Sequence, residues 1–279
     1  MTPPSKLPKT IVLVHGLWMT PRCWEAWIPY YQQRGFKVLA PAWPGLEVEV
    51  EAIRADPSIL EKLDTAMVAH HFETIVRSLE SPPIIIGHSM GGALTQILLD
   101  RGLGAAGVAI DSVQVKGVLR LPLTTIKSVW PILRSPANRH RAVAFSPEEF
   151  HYAFTNTLSR EESDRIYDRY AIPCPGRMVF EGATANFRPQ TANKVDFEKE
   201  DRAPLLFIAG SEDHIMPARL NRWTFEHYKS GIVGYHEFAG RDHWTCGAPG
   251  WEAVADYALE WALDPVAATT SPDASVARG

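Results

Sequence analysis

Short, β-branched or Leu-rich runs recur along the chain, and stretches of helical periodicity separate them. The runs are Ile11 to Val14, Lys37 to Ala40, Ile84 to Ile86, Gly107 to Ile110 and Leu205 to Ala209, with Val233 to Phe238 as a last strand. Continuous apolar runs of this length suit strands covered on both faces. Between them, Arg22 to Gln33 sets Trp24, Trp27, Ile28 and Tyr31 on one helical face. Ile59 to Leu79 repeats apolar residues at spacings of three and four, and Gly92 to Leu99 and Trp251 to Trp261 continue the series. Strands alternating with helices predict an α/β fold, a mostly parallel sheet of about six strands with helices on both faces.

The alternation stops between Gly117 and Asp201. There the chain is strand-poor and punctuated by proline. Ser146 with Glu149, and Ser159 with Glu162, have capping-box spacing and predict helices over Pro147 to Asn156 and Arg160 to Tyr170. We therefore expect a core over residues 10–116 and 202–263 and an inserted helical cap over 117–201. The tail 264–279, rich in Ala, Thr, Ser and Pro, is expected to be disordered.

Gly87-His88-Ser89-Met90-Gly91 fits G-x-S-x-G, between an apolar strand and a helical run. That context gives the motif meaning. A sharp strand-to-helix turn lifts a serine clear of the sheet, and the flanking glycines remove side chains that would collide there. The Met90 N–H then lies at a helix start, where negative charge is favoured. His15-Gly16-Leu17-Trp18 directly follows the first strand. The Leu17 N–H is the candidate second oxyanion donor, with the Trp18 N–H as the alternative.

Serine needs a base, and the base needs an orienting carboxylate. Among ten histidines, His243 stands out in Gly240-Arg241-Asp242-His243-Trp244, between the last strand and the last helix. Asp213 leaves the carboxyl end of its strand in Gly210-Ser211-Glu212-Asp213-His214-Ile215-Met216-Pro217. Asp111, at the end of an earlier strand, competes for the same role. Glu212 and Asp242 are expected at the solvated surface. His15 and His88 are expected to orient loops rather than move protons.

With HGLW, GHSMGG, GSEDHIMP and GRDHW in this order, the sequence resembles the α/β-hydrolase superfamily from Thr10 to Trp261. The resemblance implies a serine hydrolase, carboxylesterase-like, cleaving an ester, lactone or amide through Ser89, Asp213 and His243 and an acyl-enzyme. It also admits cofactor-free hydroxynitrile lyases, C–C bond hydrolases, haloperoxidases or dioxygenases, and a non-catalytic ligand-binding protein. Dehalogenation is disfavoured, because it needs a carboxylate where Ser89 stands. No metal or organic cofactor is expected. Only nine residues precede the first strand, so the usual leading hairpin of such folds should be absent. The cap aromatics Trp130, Phe145, Phe154 and Phe187, with Trp18, are candidates for an apolar substrate pocket.

Other partners are disfavoured. Net charge is -4, without a basic stripe, so nucleic acid is not expected. No apolar run approaches a membrane span, and Met1 to Lys9 lacks the apolar core of a signal peptide, which makes a cytoplasmic location the default. The three cysteines are widely separated and read as reduced bystanders. Nothing in the sequence indicates an oligomeric state.

Overall fold

The computed structural model describes residues 8–270. In chain order the elements are β1 (Thr10–Val14), α1 (Trp27–Gln32), β2 (Lys37–Leu39), α2 (Val50–Ala55), α3 (Thr65–Arg77), β3 (Ile84–His88), α4 (Met90–Asp100), β4 (Ala106–Ile110) and α5 (Leu123–Leu133). They continue with β5 (Ala142–Val143), α6 (Pro147–Phe154), α7 (Arg160–Tyr170), β6 (Cys174–Pro175), α8 (Gly176–Thr184), β7 (Leu205–Gly210), α9 (Ala218–His227), β8 (Val233–Phe238), α10 (Trp251–Leu263) and α11 (Pro265–Thr270).

Six strands form one sheet in the order β2-β1-β3-β4-β7-β8. All its pairings are parallel. Strands β1, β3, β4 and β7 are almost wholly buried, whereas the edges β2 and β8 are partly open. Burial on both faces is why the inner strands read as unbroken apolar runs. The order also brings the carboxyl ends of β1, β3, β4 and β7 side by side.

Two expected helices are broken. Residues 22–33 divide into a 3-10 turn, Pro21–Trp24, and the short α1. Pro29 lacks an N–H, and its ring excludes a helical carbonyl four residues earlier. Residues 59–79 divide into a 3-10 segment, Pro57–Lys62, and α3. Asp64 restarts the helix by accepting the Met67 N–H at 2.9 Å. The aromatic side chains of the first region still pack inward. Trp24, Trp27 and Tyr31 stack edge to face at 5.0 and 5.6 Å. Trp27 Nε1 donates to the Cys246 carbonyl, and the Tyr31 hydroxyl to that of Ala255.

Between β4 and β7 lie helices α5 to α8, none adding to the main sheet. Both capping boxes form, at Ser146 and Ser159. A two-stranded antiparallel pairing of β5 with β6, not expected from sequence, ties residues 142–143 to 174–175. The expected disordered tail needs correction at its start. Asp264 accepts the Ala267 N–H at 3.1 Å, and α11 follows. Residues 271–279 lie outside the described residues. Among the described residues no helix is long and apolar enough to cross a membrane.

Helix α4 approaches the sheet through glycine. A Cβ on Gly91 would fall 2.0 Å from the Val14 carbonyl oxygen, and one on Gly92 2.8 Å from Ser112 Cβ. Gly182, inside α8, would meet nothing within 4 Å. Thermal unfolding should therefore rank two alanine variants oppositely. Gly91→Ala forces backbone apart and should cost at least about 3 kcal/mol. Gly182→Ala should gain up to about 1 kcal/mol from reduced unfolded-state freedom and better helix propensity.

Candidate active site

Ser89 sits between β3 and α4 at φ 56° and ψ -118°, a conformation that side-chain-bearing residues seldom adopt. Its backbone is clamped on the β4 side: Ser89 N–H donates to Ile110 O at 2.9 Å, and Ser89 O accepts from Val113 N–H at 3.0 Å. Behind it, a Cβ on Gly87 would fall 2.0 Å from the Gly91 oxygen, so only glycine permits this turn.

The loop after β1 presses onto the same residue. A Cβ on Gly16 would lie 2.7 Å from Ser89 Cβ and 2.9 Å from the His88 carbonyl oxygen. His15 shapes this loop: its Nδ1–H donates to Gly16 O at 3.0 Å, and its ring stacks on Trp43. Trp18 also has a positive φ, 62°. Its carbonyl accepts the Ile172 N–H at 2.9 Å. Leu17, Trp18, Ser89 and Met90 thus share the floor of one cavity.

Asp213 and His243 meet below that floor. His243 Nδ1–H donates to Asp213 Oδ2 at 2.6 Å, with both side chains fully buried. The second carboxylate oxygen of Asp213 accepts the Ile215 and Met216 N–H groups at 2.7 and 2.8 Å. The carboxylate is thereby fixed in rotation and aims one oxygen at the ring. His243 Nε2 is buried without a partner. His88, next to Ser89 in the chain, holds His243 in place: its Nε2–H donates to the His243 carbonyl at 2.8 Å, and the two rings lie 4.7 Å apart. Phe154 closes the other side, edge to face on His243 at 4.8 Å.

Burial dominates the electrostatics here. It pushes the His243 imidazole down, to about 3, so the resting ring is neutral. It lowers His15 to about 4 and holds His88 well below the ordinary value. Burial also raises Asp213, against the opposing pull of the Met216 and Ile215 N–H groups. Asp111 is raised too, first by burial and then by the neighbouring Asp213.

The competing acids are accounted for. Asp111, at φ 45°, turns one oxygen to the Gly210 N–H at 2.7 Å. It joins the ends of β4 and β7, while Asp213 makes the bond to His243. Asp242 corrects the expectation of a solvated side chain. It is buried, and it accepts from the Thr157 N–H and hydroxyl at 3.1 and 2.6 Å and from the Trp244 N–H at 3.1 Å. Glu212 is exposed. His88, Asp111 and His243 bring one potential metal-ligand atom each within 4.8 Å. We assign no metal to this cluster.

Above Ser89 lies a cavity of about 290 Å³. Its walls come from α5, α8, the 113–121 segment and Ile215 with Met216. Phe187 lines this cavity near its opening, with 81% of its surface exposed. Three other candidates for the lining do not reach it. Trp130 points outward from α5, 57% exposed. Phe145 is buried and stacks on Trp18 at 4.3 Å, and Phe154 packs on His243, so these two support the floor from beneath. Helical periodicity marks a side chain as apolar but not which neighbour covers it. Gln114 lines the cavity and was not foreseen, because an isolated glutamine in a loop carries no sequence signal. A wider depression of about 410 Å³ beside Arg22 and Glu49 contains no member of this set.

Comparison with known proteins agrees with this architecture. A model described as the alpha/beta hydrolase family matches residues 11–257. Comparison with curated protein sequences gives no match. Among solved structures, a monoacylglycerol lipase of Paleococcus ferrophilus aligns with a TM-score of 0.63 at 21% identity, over 92% of this chain and 95% of its own. A pyrethroid hydrolase of Sphingobium faniae JZ-2 gives 0.65 at 18% identity, over 92% and 98%. Polyneuridine aldehyde esterase gives 0.61 at 16% identity, over 91% and 98%. At such identities these likenesses speak for the fold, and the match across most of the sequence speaks for the lineage. The chain belongs to the alpha/beta hydrolase family.

Proposed function

We propose that this protein is a serine hydrolase of carboxylesterase type, acting on a small, largely apolar ester. The observation that carries this reading is the buried 2.6 Å hydrogen bond from His243 to Asp213, next to a serine held at φ 56°. Ser89 Oγ attacks the scissile carbonyl, and His243 Nε2 takes its proton. The Leu17 and Met90 N–H groups receive the oxyanion, a reading supported by the close packing of Gly16 against Ser89. His243 then protonates the leaving group and activates water against the acyl-enzyme. Asp213 fixes the imidazole tautomer and stabilises the ring when charged. The helical segment 117–201 acts as a cap whose inner face forms the acyl pocket. The neighbours named as lipase, pyrethroid hydrolase and esterase are consistent with ester chemistry.

Three experiments test the proposal. Ser89→Ala should lower ester hydrolysis by at least about 10⁴-fold and abolish labelling by a fluorophosphonate. Asp213→Asn should cost on the order of 10⁴ in turnover by favouring the wrong tautomer, and Asp111→Asn far less. A folded Ser89→Ala protein with residual activity of a few per cent would end the assignment, and a reversed ranking of the two aspartates would move the acid to the end of β4.

The pH profile provides a second measure. A base is competent only when neutral, and burial lowers His243 below the ordinary value of about 6.5. The acid limb of kcat/KM should accordingly have its midpoint below about pH 6, and a midpoint at 6.5 or above would show an unshifted base. Stability should move differently in this window. The unfolded chain protonates its histidines below about 6.5, while buried His15 resists down to about 4. Its contribution is complete above the unfolded value and is lost as pH falls. Melting curves recorded beside the kinetics separate unfolding from titration.

The cap yields a third test. Phe187→Ala should shift the preference between long and short acyl esters, because Phe187 lines the cavity. Trp130→Ala should leave that preference within about twofold, since its ring faces solvent. Equal effects from both variants would remove the acyl pocket from this surface.

A further inference from the structure

The cavity above Ser89 is apolar except for a few side chains, and most of those have partners. Thr125 donates its hydroxyl to Ile215 O at 2.8 Å. Asn186 accepts the Gly117 N–H at 2.7 Å and donates to Val118 O at 3.0 Å. Arg120 lies over the Trp223 ring. Gln114 differs: its Nε2 is shielded from solvent and has no acceptor. A buried donor without a partner is costly, and native structures seldom keep one without a reason.

The position of Gln114 supplies one. Strand β3 lies between β1 and β4. The Leu17 loop reaches Ser89 from the β1 side, and Gln114 comes from the β4 side. Val113 N–H donates to Ser89 O at 3.0 Å, which sets the next residue beside the nucleophile. A carbonyl oxygen directed to the β1 side therefore leaves the adjoining part of the substrate facing Gln114.

We propose that Gln114 is a substrate-binding residue that donates from Nε2 to a second acceptor oxygen of an otherwise apolar ester. That oxygen, in a keto, ether, hydroxyl or second ester group, lies a few bonds from the scissile carbonyl. The proposal rests on the serine hydrolase reading for its frame of reference. It narrows the substrate class from apolar esters to oxygenated apolar esters. Polyols do not fit, because the surrounding wall is mostly apolar and its exposed cation, Arg120, lies over Trp223. Trp18 Nε1 is also buried and unpaired, but its ring is held flat on Phe145 and its carbonyl is bound to Ile172. No hydrogen bond or ring contact holds the Gln114 side chain, so a turn of its amide brings Nε2 to the cavity that the residue lines.

The test compares 4-nitrophenyl hexanoate with its 3-oxo and 3-oxa analogues, which differ in one acceptor. The two analogues differ from the parent in intrinsic reactivity, so the ratio is taken in both wild type and Gln114→Leu. The wild-type preference in kcat/KM for the better oxygenated ester should exceed that of Gln114→Leu by about tenfold or more. Gln114→Glu, of similar shape but without the donor when ionised, should resemble Gln114→Leu. Melting temperatures establish that both variants fold. Calorimetric binding of the non-hydrolysed esters to Ser89→Ala, with and without Gln114→Leu, gives a readout independent of catalysis. A preference retained in binding but without any wild-type turnover would sink the hydrolase reading and keep Gln114 as a ligand contact. Ratios within twofold of each other in wild type and Gln114→Leu, in both kinetics and binding, would overturn the proposal.

Discussion

The site depends on how closely the chain packs around Ser89. Helix α4 can start above the sheet only because Gly91 lies against the Val14 carbonyl, and the β1 loop can cross only because Gly16 lies against Ser89. Among the described residues, three that bear side chains have positive φ: Trp18, Ser89 and Asp111. Each follows one of the adjacent strands β1, β3 and β4. Such conformations cost of order 1–3 kcal/mol apiece and persist only where surrounding structure fixes them. Here the parallel ladders supply that restraint, with β3 flanked on both sides and its carboxyl end bonded to β4. Strain is concentrated at the carboxyl ends of these strands, around Ser89.

Much of this was legible in the sequence because it is locally encoded. A buried parallel strand needs a short β-branched run, and a strand-to-helix elbow needs glycine on both sides of its serine, so β1, β3, β4, β7 and β8 and the position of Ser89 could be read directly. Asp213 and His243, which the structure brings into one hydrogen bond, stand out in the sequence because both sit on loops at strand carboxyl ends. The misreadings share a cause. The break at Asp64, the β5–β6 pairing and the burial of Asp242 depend on partners far away in sequence. The cap aromatics illustrate this: Phe145, Phe154, Trp130 and Phe187 look alike in composition, yet two support the floor, one meets solvent and one lines the cavity. Nothing local distinguishes Gln114 from a surface glutamine.

The buried polar groups form a connected set. Asp111 accepts from Gly210, Asp213 holds His243, and His88 donates to the His243 carbonyl. These bonds join the ends of β3, β4 and β7 to the loop before α10. Their dryness strengthens each hydrogen bond and keeps the imidazoles neutral. Aromatic packing beneath serves the same end, since Trp27 Nε1 caps the Cys246 carbonyl just beyond His243.

Asp242 ties the helical segment to this machinery. Its carboxylate takes both the N–H and the hydroxyl of Thr157, and the neighbouring Trp244 N–H donates to Phe154 O at 2.9 Å. The stretch from α6 to α7 is thus fastened to the loop that carries His243, whereas α5 and α8 meet the cavity through apolar side chains. In an engineering setting this makes the segment a poor interchangeable part. A graft of residues 117–201 from a relative would have to bring its own equivalent of Thr157, or a buried carboxylate would lose two of its partners one residue from His243. The α5 and α8 edges have bonds of their own to keep, Thr125 to the Ile215 carbonyl and Glu181 to the buried Thr65, but neither bonds the loop that carries His243, and new specificities are better sought there.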